Sequence, residues 1–363
     1  MTTLSPAPPA SGRHRQQISG RRRRWRGVAV VVVAVLTAAT GVLAGTVWAA
    51  ARKYDSNVRR IDAFSVPAGG SVKEARARTR VDGPMNFLVV GSDSRAKDPK
   101  DPAQFNADGG QRTDTIMLMH LQSDQKHGYV VSIPRDTFVH IPVGGTWQGG
   151  SAKINAAYQY GGIQLLVRTV EEYTGDHIDH VLVVDFKGLE RVVDAVGGVD
   201  VVVDQTVRDT QTHQTFKRGV NHLNGQRALF YVRQRHGLPG SDYDRIKRQH
   251  QFLSALLRKA ISTGTLTNPI KLNRFLDAVT KAVSVDRQLR LIDLVLQLRG
   301  LRPADLTFMT TPIARSARDP VYGDVEITDH ALASQLFAAL KNDTMVAWAR
   351  ANPRWVSDPS HGF

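Results

Sequence analysis

Cysteine is absent from the 363 residues, which removes thiol nucleophiles, cysteine zinc sites, iron–sulfur clusters and disulfide frameworks together. The lack is neutral toward export, because a chain of this length buries a core that needs no cross-links. The glycine loops that cradle nucleotide phosphates are missing. There is no Gly-x-x-x-x-Gly-Lys-Ser/Thr, and no Gly-x-Gly-x-x-Gly follows a strand-like run. His-Glu-x-x-His does not occur, and the twelve histidines show no metal-ligand spacing. Without a Gly-x-Ser-x-Gly elbow, serine hydrolysis is also disfavoured. Acidic residues are missing from the first 26 positions, which hold seven arginines: Arg13, Arg15, Arg21, Arg22, Arg23, Arg24 and Arg26.

Those seven leave eight of the net +15 spread beyond residue 51, so the body of the chain is itself basic and an anionic partner is expected. From Gly27 to Ala51 no residue is charged. As a helix that run reaches about 37 Å, more than the ~30 Å hydrocarbon core of a bilayer. Trp25 and Trp48 sit near its ends, where indoles favour the headgroup layer. A cleaved signal peptide is the competing reading, with Ala49-Ala50-Ala51 as cleavage site, but signal h-regions are shorter. The arginine cluster stays on the cytoplasmic side by the positive-inside rule, which places the rest outside the cell membrane. The expected organisation is a basic tail over 1–26, a membrane span over 27–51, a polar stem over 52–84, a folded domain over 85–342 and a tail over 343–363.

Within the folded part, apolar runs recur at Phe87 to Val90, Thr115 to Leu121, Tyr129 to Ile133, Val181 to Phe186, Val199 to Val203 and Leu306 to Thr310. Several are continuous rather than alternating, as strands buried on both faces are. Helical spacing appears between them at Asn155 to Tyr173, Leu189 to Val196 and Asp242 to Ile261. Strands and helices interleaved throughout predict a layered α/β sandwich.

Arginines and aspartates stand where these elements begin and end. Asp93 and Arg95 follow the first run, Arg112 and Asp114 precede the second, and Pro134-Arg135-Asp136 closes the third. A fourth segment runs from Arg233-Gln234-Arg235 to Asp242-Tyr243-Asp244-Arg245 and Gln249. Loops at strand ends are free to converge on one crevice. If Arg233 and Arg235 are extended, their side chains share a face. Asp242 is placed as a helix N-cap, and Arg245 and Gln249 lie four apart on one helical face. Guanidinium forks match phosphate oxygens, and Asp93 and Asp114 are hard oxygen ligands of the kind that hold Mg²⁺ shared with a phosphate. Any one of these residues alone is an ordinary surface pair worth under about 1 kcal/mol. Together they predict a phosphate-bearing ligand.

At these residues the sequence resembles the LytR-CpsA-Psr family of membrane-anchored cell-wall glycopolymer ligases. The matching stretches are Gly91-Ser92-Asp93-Ser94-Arg95, Arg112-Thr113-Asp114-Thr115, Ser132-Ile133-Pro134-Arg135-Asp136, Lys153-Ile154-Asn155-Ala156-Ala157-Tyr158 and Arg233-Gln234-Arg235 through Gln249. The resemblance implies a three-layer α/β/α sandwich with a mixed central sheet. It implies a Mg²⁺-dependent phosphotransferase that moves a glycopolymer from a polyprenyl-pyrophosphate carrier to peptidoglycan in cell-wall biogenesis. It also implies Asp93 and Asp114 at the metal, with one of them as base. Arg112, Arg135, Arg233, Arg235, Arg245 and Gln249 would hold the pyrophosphate, with Lys153 and Asp242 lining the cleft, and Arg135 counted with the two aspartates as catalytic. Hydrolysis of polyprenyl pyrophosphate is the alternative from the same chemistry. A nucleic-acid-binding regulator is the alternative from another class, and twenty-six cytoplasmic residues hold no readable helix-turn-helix for it. High arginine, alanine and valine usage fits a high-GC Gram-positive source.

Overall fold

The apolar runs become strands, and the described charged residues of the segments between them fall at strand ends and helix ends. The computed structural model describes residues 53–65, 83–92, 113–261, 268–290, 294 and 301–360. The expected basic tail, the membrane span, most of the stem, and Asp93 and Arg112 lie outside them. Two units divide the chain, Met1–Lys53 and Tyr54–Phe363, and every element below belongs to the second. Among the described residues no helix is long and apolar enough to cross a membrane.

In chain order come β1 (Arg59–Ile61), β2 (Met85–Ser92), β3 (Thr113–Leu121), β4 (Gly128–Ile133), β5 (Phe138–Ile141) and β6 (Gly150–Lys153). Then follow α1 (Ile154–Thr174), β7 (His180–Asp185), α2 (Phe186–Ala195), β8 (Val199–Val203), β9 (Val207–Arg208), β10 (Thr215–Phe216) and β11 (Gly219–Leu223). Next are α3 (Gly225–Arg233), α4 (Asp242–Ile261), α5 (Pro269–Ala282), β12 (Val283–Asp286) and β13 (Leu306–Thr310). The last are β14 (Ile313–Asp319), β15 (Gly323–Thr328), α6 (His330–Lys341), α7 (Met345–Ala351) and β16 (Val356–Ser357). The main sheet runs β1-β12-β7-β2-β3-β4-β13-β16. It is mixed: β2 pairs with β7 and β4 with β13 in parallel, whereas β3 is antiparallel to both β2 and β4.

Side chains alternate across the sheet, which explains the continuous apolar runs. Leu88, Val90, Ile116, Leu118, Val131 and Val183 pack on one face with Leu165, Leu166 and Val170 of α1 and Leu336 and Leu340 of α6. Met117, Val130 and Phe308 face the other way, against Leu253 and Leu257 of α4. Each fully buried leucine contributes about 2 kcal/mol, several times a surface ion pair. The frame is therefore set by burial and not by the surface charges. Helix α4 spans the predicted residues, whereas α1 is kinked at Gly161 and Gly162, where Gly162 has φ 64°.

Residues 343–360 depart from the tail expected over 343–363. Helix α7 buries Met345 and Trp348, and β16 pairs with β13 at the edge of the main sheet. Prolines and a glycine suggested irregular chain; Met345, Trp348 and Trp355 supply the apolar contacts that hold it. His250 of α4 fastens this end: one ring nitrogen lies 2.7 Å from Ser132 Oγ on β4, the other 2.8 Å from Ser357 Oγ on β16. Complete burial pulls His250 from the ordinary value near 6.5 down to about 3, so it stays neutral.

The unfolded chain takes up a proton at His250 below about pH 6.5 and the folded chain does not. Stability from this group is complete above about pH 6.5 and is lost toward pH 3, by about 1.4 kcal/mol per pH unit. Urea unfolding from pH 6.5 to 4 is expected to show a slope shallower by about that amount in His250→Asn than in the parent. Equal slopes would place the titration elsewhere.

Candidate active site

The strand directions gather the charged segments. Because β2, β4, β7 and β13 run alike and β3 runs against them, the carboxyl ends of four strands and the amino end of β3 share one edge. Ile116 pairs with Ile133, so two residues farther out Asp114 lies across from Arg135, and the Arg135 guanidinium grips the Asp114 carboxylate. Lys153 arrives by the β5–β6 hairpin, which pairs Phe138 with Lys153. Its Nζ lies 3.0 Å from Asp136 Oδ1. The Ile154 amide donates to the Thr137 carbonyl at 2.8 Å and fixes the approach.

Asp242 is the hub. Its Oδ2 accepts from Arg245 Nη2 at 2.8 Å, and its Oδ1 lies 3.1 Å from Arg235 Nε and 3.9 Å from Arg135 Nε. It is the first residue of α4 and not its cap; Asp244 receives the Gly240 amide instead, at 2.6 Å. Arg245 also donates to the Asp114 carbonyl at 3.0 Å. Its side chain is 2% exposed, and burial, offset in part by Asp242, lowers its pKa to about 10. Burial also opposes the charge on Arg135, but the carboxylates of Asp136, Asp114 and Asp242 outweigh it and raise its pKa. Close charges do not mean satisfied donors here. Arg135 Nε, Arg235 Nε, Arg245 Nε and Asp242 Oδ1 are buried with no aligned hydrogen-bond partner among the described residues. The guanidiniums face the carboxylate without committing all their N–H groups to it.

Arg135, Lys153, Arg235 and Asp242 border a cleft of about 780 Å³, and Asp114 and Arg245 are tied to them from outside its lining. Its far wall is the β14–β15 hairpin, anchored by the Glu326 amide on the Asp136 carbonyl at 2.9 Å. Of the charged residues lining it, Arg135, Lys153 and Arg235 are outnumbered by Asp136, Asp242, Asp324 and Glu326. An anion entering alone meets more negative charge than positive. No three His, Cys, Asp or Glu side chains form a ready cation site among the described residues.

Two predicted residues are placed differently. Arg233 is not extended beside Arg235: it ends α3, which Asn224 caps by accepting the Arg227 amide at 2.9 Å, and its guanidinium lies over the Phe186 ring at 5.6 Å. Gln249 is buried, and its amide donates to the Val232 carbonyl at 3.2 Å, bracing α3 and not lining the cleft. Asp114, Arg135, Lys153, Arg235, Asp242 and Arg245 do come together. Sequence reasoning passed over Arg248, which is 0% exposed, lies over Tyr231 at 4.5 Å and donates to Gln234 Oε1 at 2.6 Å. It fixes the residue between Arg233 and Arg235. Its spacing three beyond Arg245 was the available signal.

Substituting Asp242 with alanine strips Arg245 of its carboxylate. The expected loss is about 3 kcal/mol in urea unfolding, since a buried charge is left uncompensated. Millimolar pyrophosphate is expected to restore part of it, and an unchanged midpoint would show that the hub is dispensable.

A mixed sheet whose strand ends draw arginines and carboxylates together beside one open cleft defines an α/β protein with a densely charged site at one sheet edge. The LytR_cpsA_psr family model matches residues 47–341. Similarity extends to the probable cell wall biosynthesis protein LcpB of Corynebacterium glutamicum, 36% identical over 93% of this chain and 77% of LcpB. It extends also to the polyisoprenyl-teichoic acid–peptidoglycan teichoic acid transferase TagU of Bacillus cereus, 36% identical over 51% of this chain and 55% of TagU. Among solved structures, B. subtilis TagV superposes with a TM-score of 0.59 at 26% identity, covering 73% of this chain and 98% of TagV. The chain belongs to the LytR_cpsA_psr family.

Proposed function

We propose that this chain is a phosphotransferase that moves a glycopolymer from a polyprenyl-pyrophosphate carrier to peptidoglycan. The observation that carries the reading is the Asp242 hub. Three guanidiniums converge there with buried N–H groups unspent, as phosphoryl transfer requires of a site whose work is positioning and charge neutralisation. The names of the relatives LcpB and TagU support the cell-wall context. The run from Gly27 to Ala51 is proposed as the anchor that keeps the domain at the outer membrane face, beside a lipid-borne donor.

In this reading Arg135, Arg235 and Arg245 take the pyrophosphate oxygens, with Lys153, Arg112 and Arg233 adding positive charge, and Gln249 bracing α3 from behind. The acceptor hydroxyl oxygen forms a new bond to the phosphorus that carries the glycan. The bond from that phosphorus to the bridging oxygen breaks, and polyprenyl phosphate leaves. The hydroxyl proton passes to Asp93 or Asp114. Mg²⁺ would offset the excess of carboxylates over cations that line the cleft. Asp114 with Asp93 would hold it, phosphate oxygens and water completing its shell, and it would neutralise the charge that develops on the phosphate.

The test uses the full chain with polyprenyl pyrophosphate and Mg²⁺, following release of polyprenyl monophosphate, with and without a peptidoglycan acceptor. Arg135→Ala and Arg235→Ala are each expected to lower turnover by about 100-fold, the scale of losing one donor to developing charge. Chelation is expected to abolish it. Turnover equal to the parent's in both variants would remove the chemistry from this cleft. Release without transfer would make the enzyme a hydrolase.

A further inference from the structure

A second cleft, of about 730 Å³, adjoins the first, and Tyr243 and Ser316 line both. The divide between them is a small hydrogen-bonded cluster. Tyr243 OH donates to Glu326 Oε2 at 2.8 Å, and Ser316 Oγ lies 3.0 and 2.9 Å from the two Glu326 oxygens. Glu326 is the same residue whose amide is fastened to Asp136, so the divide is built on the turn that carries Arg135. Beyond it, β13, β14 and β16 supply the floor. The charged lining is Lys247, Arg315 and Arg354 against Asp204 and Asp358. Arg354 lies over the Trp355 ring at 5.2 Å, and Trp355 in turn packs on the main core, so this guanidinium has a firm seat.

The two clefts differ in sign. Carboxylates outnumber cations in the first, and cations outnumber carboxylates in the second. In the second, Lys247 pairs with Asp244 at 3.4 Å, which leaves the exposed Arg315 and Arg354 interspersed with Asp204 and Asp358, an arrangement that opposes a densely charged phosphate polymer. Exposed cations interspersed with carboxylates suit a ligand that carries scattered carboxylates among many hydroxyls.

We propose that the second cleft binds the acceptor: a glycan strand bearing carboxylate-ended peptide stems, lying across the Tyr243–Glu326 divide so that a hydroxyl reaches the first cleft. This rests on the transferase reading. The donor, already held at its pyrophosphate, has no need of a second cationic surface.

The probe is the N-acetylglucosaminyl–N-acetylmuramyl tetrapeptide, titrated calorimetrically at low salt into the full chain and into the double variant Arg315→Ala, Arg354→Ala. Both arginines are exposed, so the fold is expected to persist, as monophosphate release at the first cleft would verify. The double variant is expected to bind the probe about tenfold more weakly, as loss of charge-assisted hydrogen bonds implies. In the transfer assay its acceptor KM is expected to rise by a similar factor with acceptor-independent release unchanged. A probe with amidated carboxyls is expected to bind the parent as weakly as the intact probe binds the variant. Equal binding by parent and variant, or no binding by the parent, overturns the assignment. So does a poly(glycerol phosphate) fragment that loses affinity in the variant while the tetrapeptide does not, since the cleft would then serve the donor. If the parent releases no monophosphate yet probe binding still depends on the two arginines, the transferase reading falls and the cleft assignment stands.

Discussion

Between β3 and β4 the ladder pairs Ile116 with Ile133, and side chains on a strand alternate between faces. A slip of one residue would turn Ile116 and Leu118 out of the main core and swing Asp114 away from Arg135. The apolar pairing and the ionic contact therefore demand the same register. The apolar side decides it, because several buried residues at about 2 kcal/mol each outweigh one ion pair. All that is built at the strand ends inherits this alignment: the Pro134–Asp136 turn, the Lys153 hairpin that folds back on it, and the β14–β15 hairpin that hangs from the Asp136 carbonyl. Chemistry at this edge is positioned by hydrophobic burial some way below it.

The cleft is neutralised internally. Asp242 stands among three guanidiniums much as a bound anion would, and Asp136 does the same for Lys153. Such an arrangement keeps buried arginines tolerable before a ligand arrives. In the proposed phosphotransferase, binding would be an exchange of partners, in which the incoming phosphate takes over N–H groups that the carboxylates satisfy poorly. Net affinity then depends on a difference between two sets of contacts, which is the condition for discriminating one geometry from another.

The frame was legible because burial on both faces leaves a simple trace: continuous apolar runs at Phe87, Thr115, Tyr129 and Leu306 each proved to be strands of the main sheet. Helix α4 was legible from its apolar spacing. The charged cluster was legible by type, since arginine and aspartate at element ends are where loops converge, and six of the named residues meet. Arg233 was misread because the dipeptide spacing of Arg-Gln-Arg says nothing of whether the chain there is extended, and the Asn224 cap makes it helical. Gln249 was misread because one helical face covers both the cleft and the flank of α3. The residues past Lys341 were misread because Pro353 and Pro359 signal irregular chain whether or not it is packed. The β14–β15 wall and its Glu326 anchor left no trace, since a backbone contact between positions almost two hundred residues apart has no local signature.

The two ends of the main sheet are finished differently. At one side the last strand is β1, three residues long and carrying Arg59 and Arg60. At the other, β13 would present its free backbone to solvent were it not for the two residues of β16, held by Ser357 against His250. A short charged strand and a fastened cover are two familiar ways of denying a template to passing chains. Helix α7 and β16, far from loose, cover the open flank of the sheet where it could otherwise recruit neighbours. That is a matter of colloidal behaviour as much as of fold.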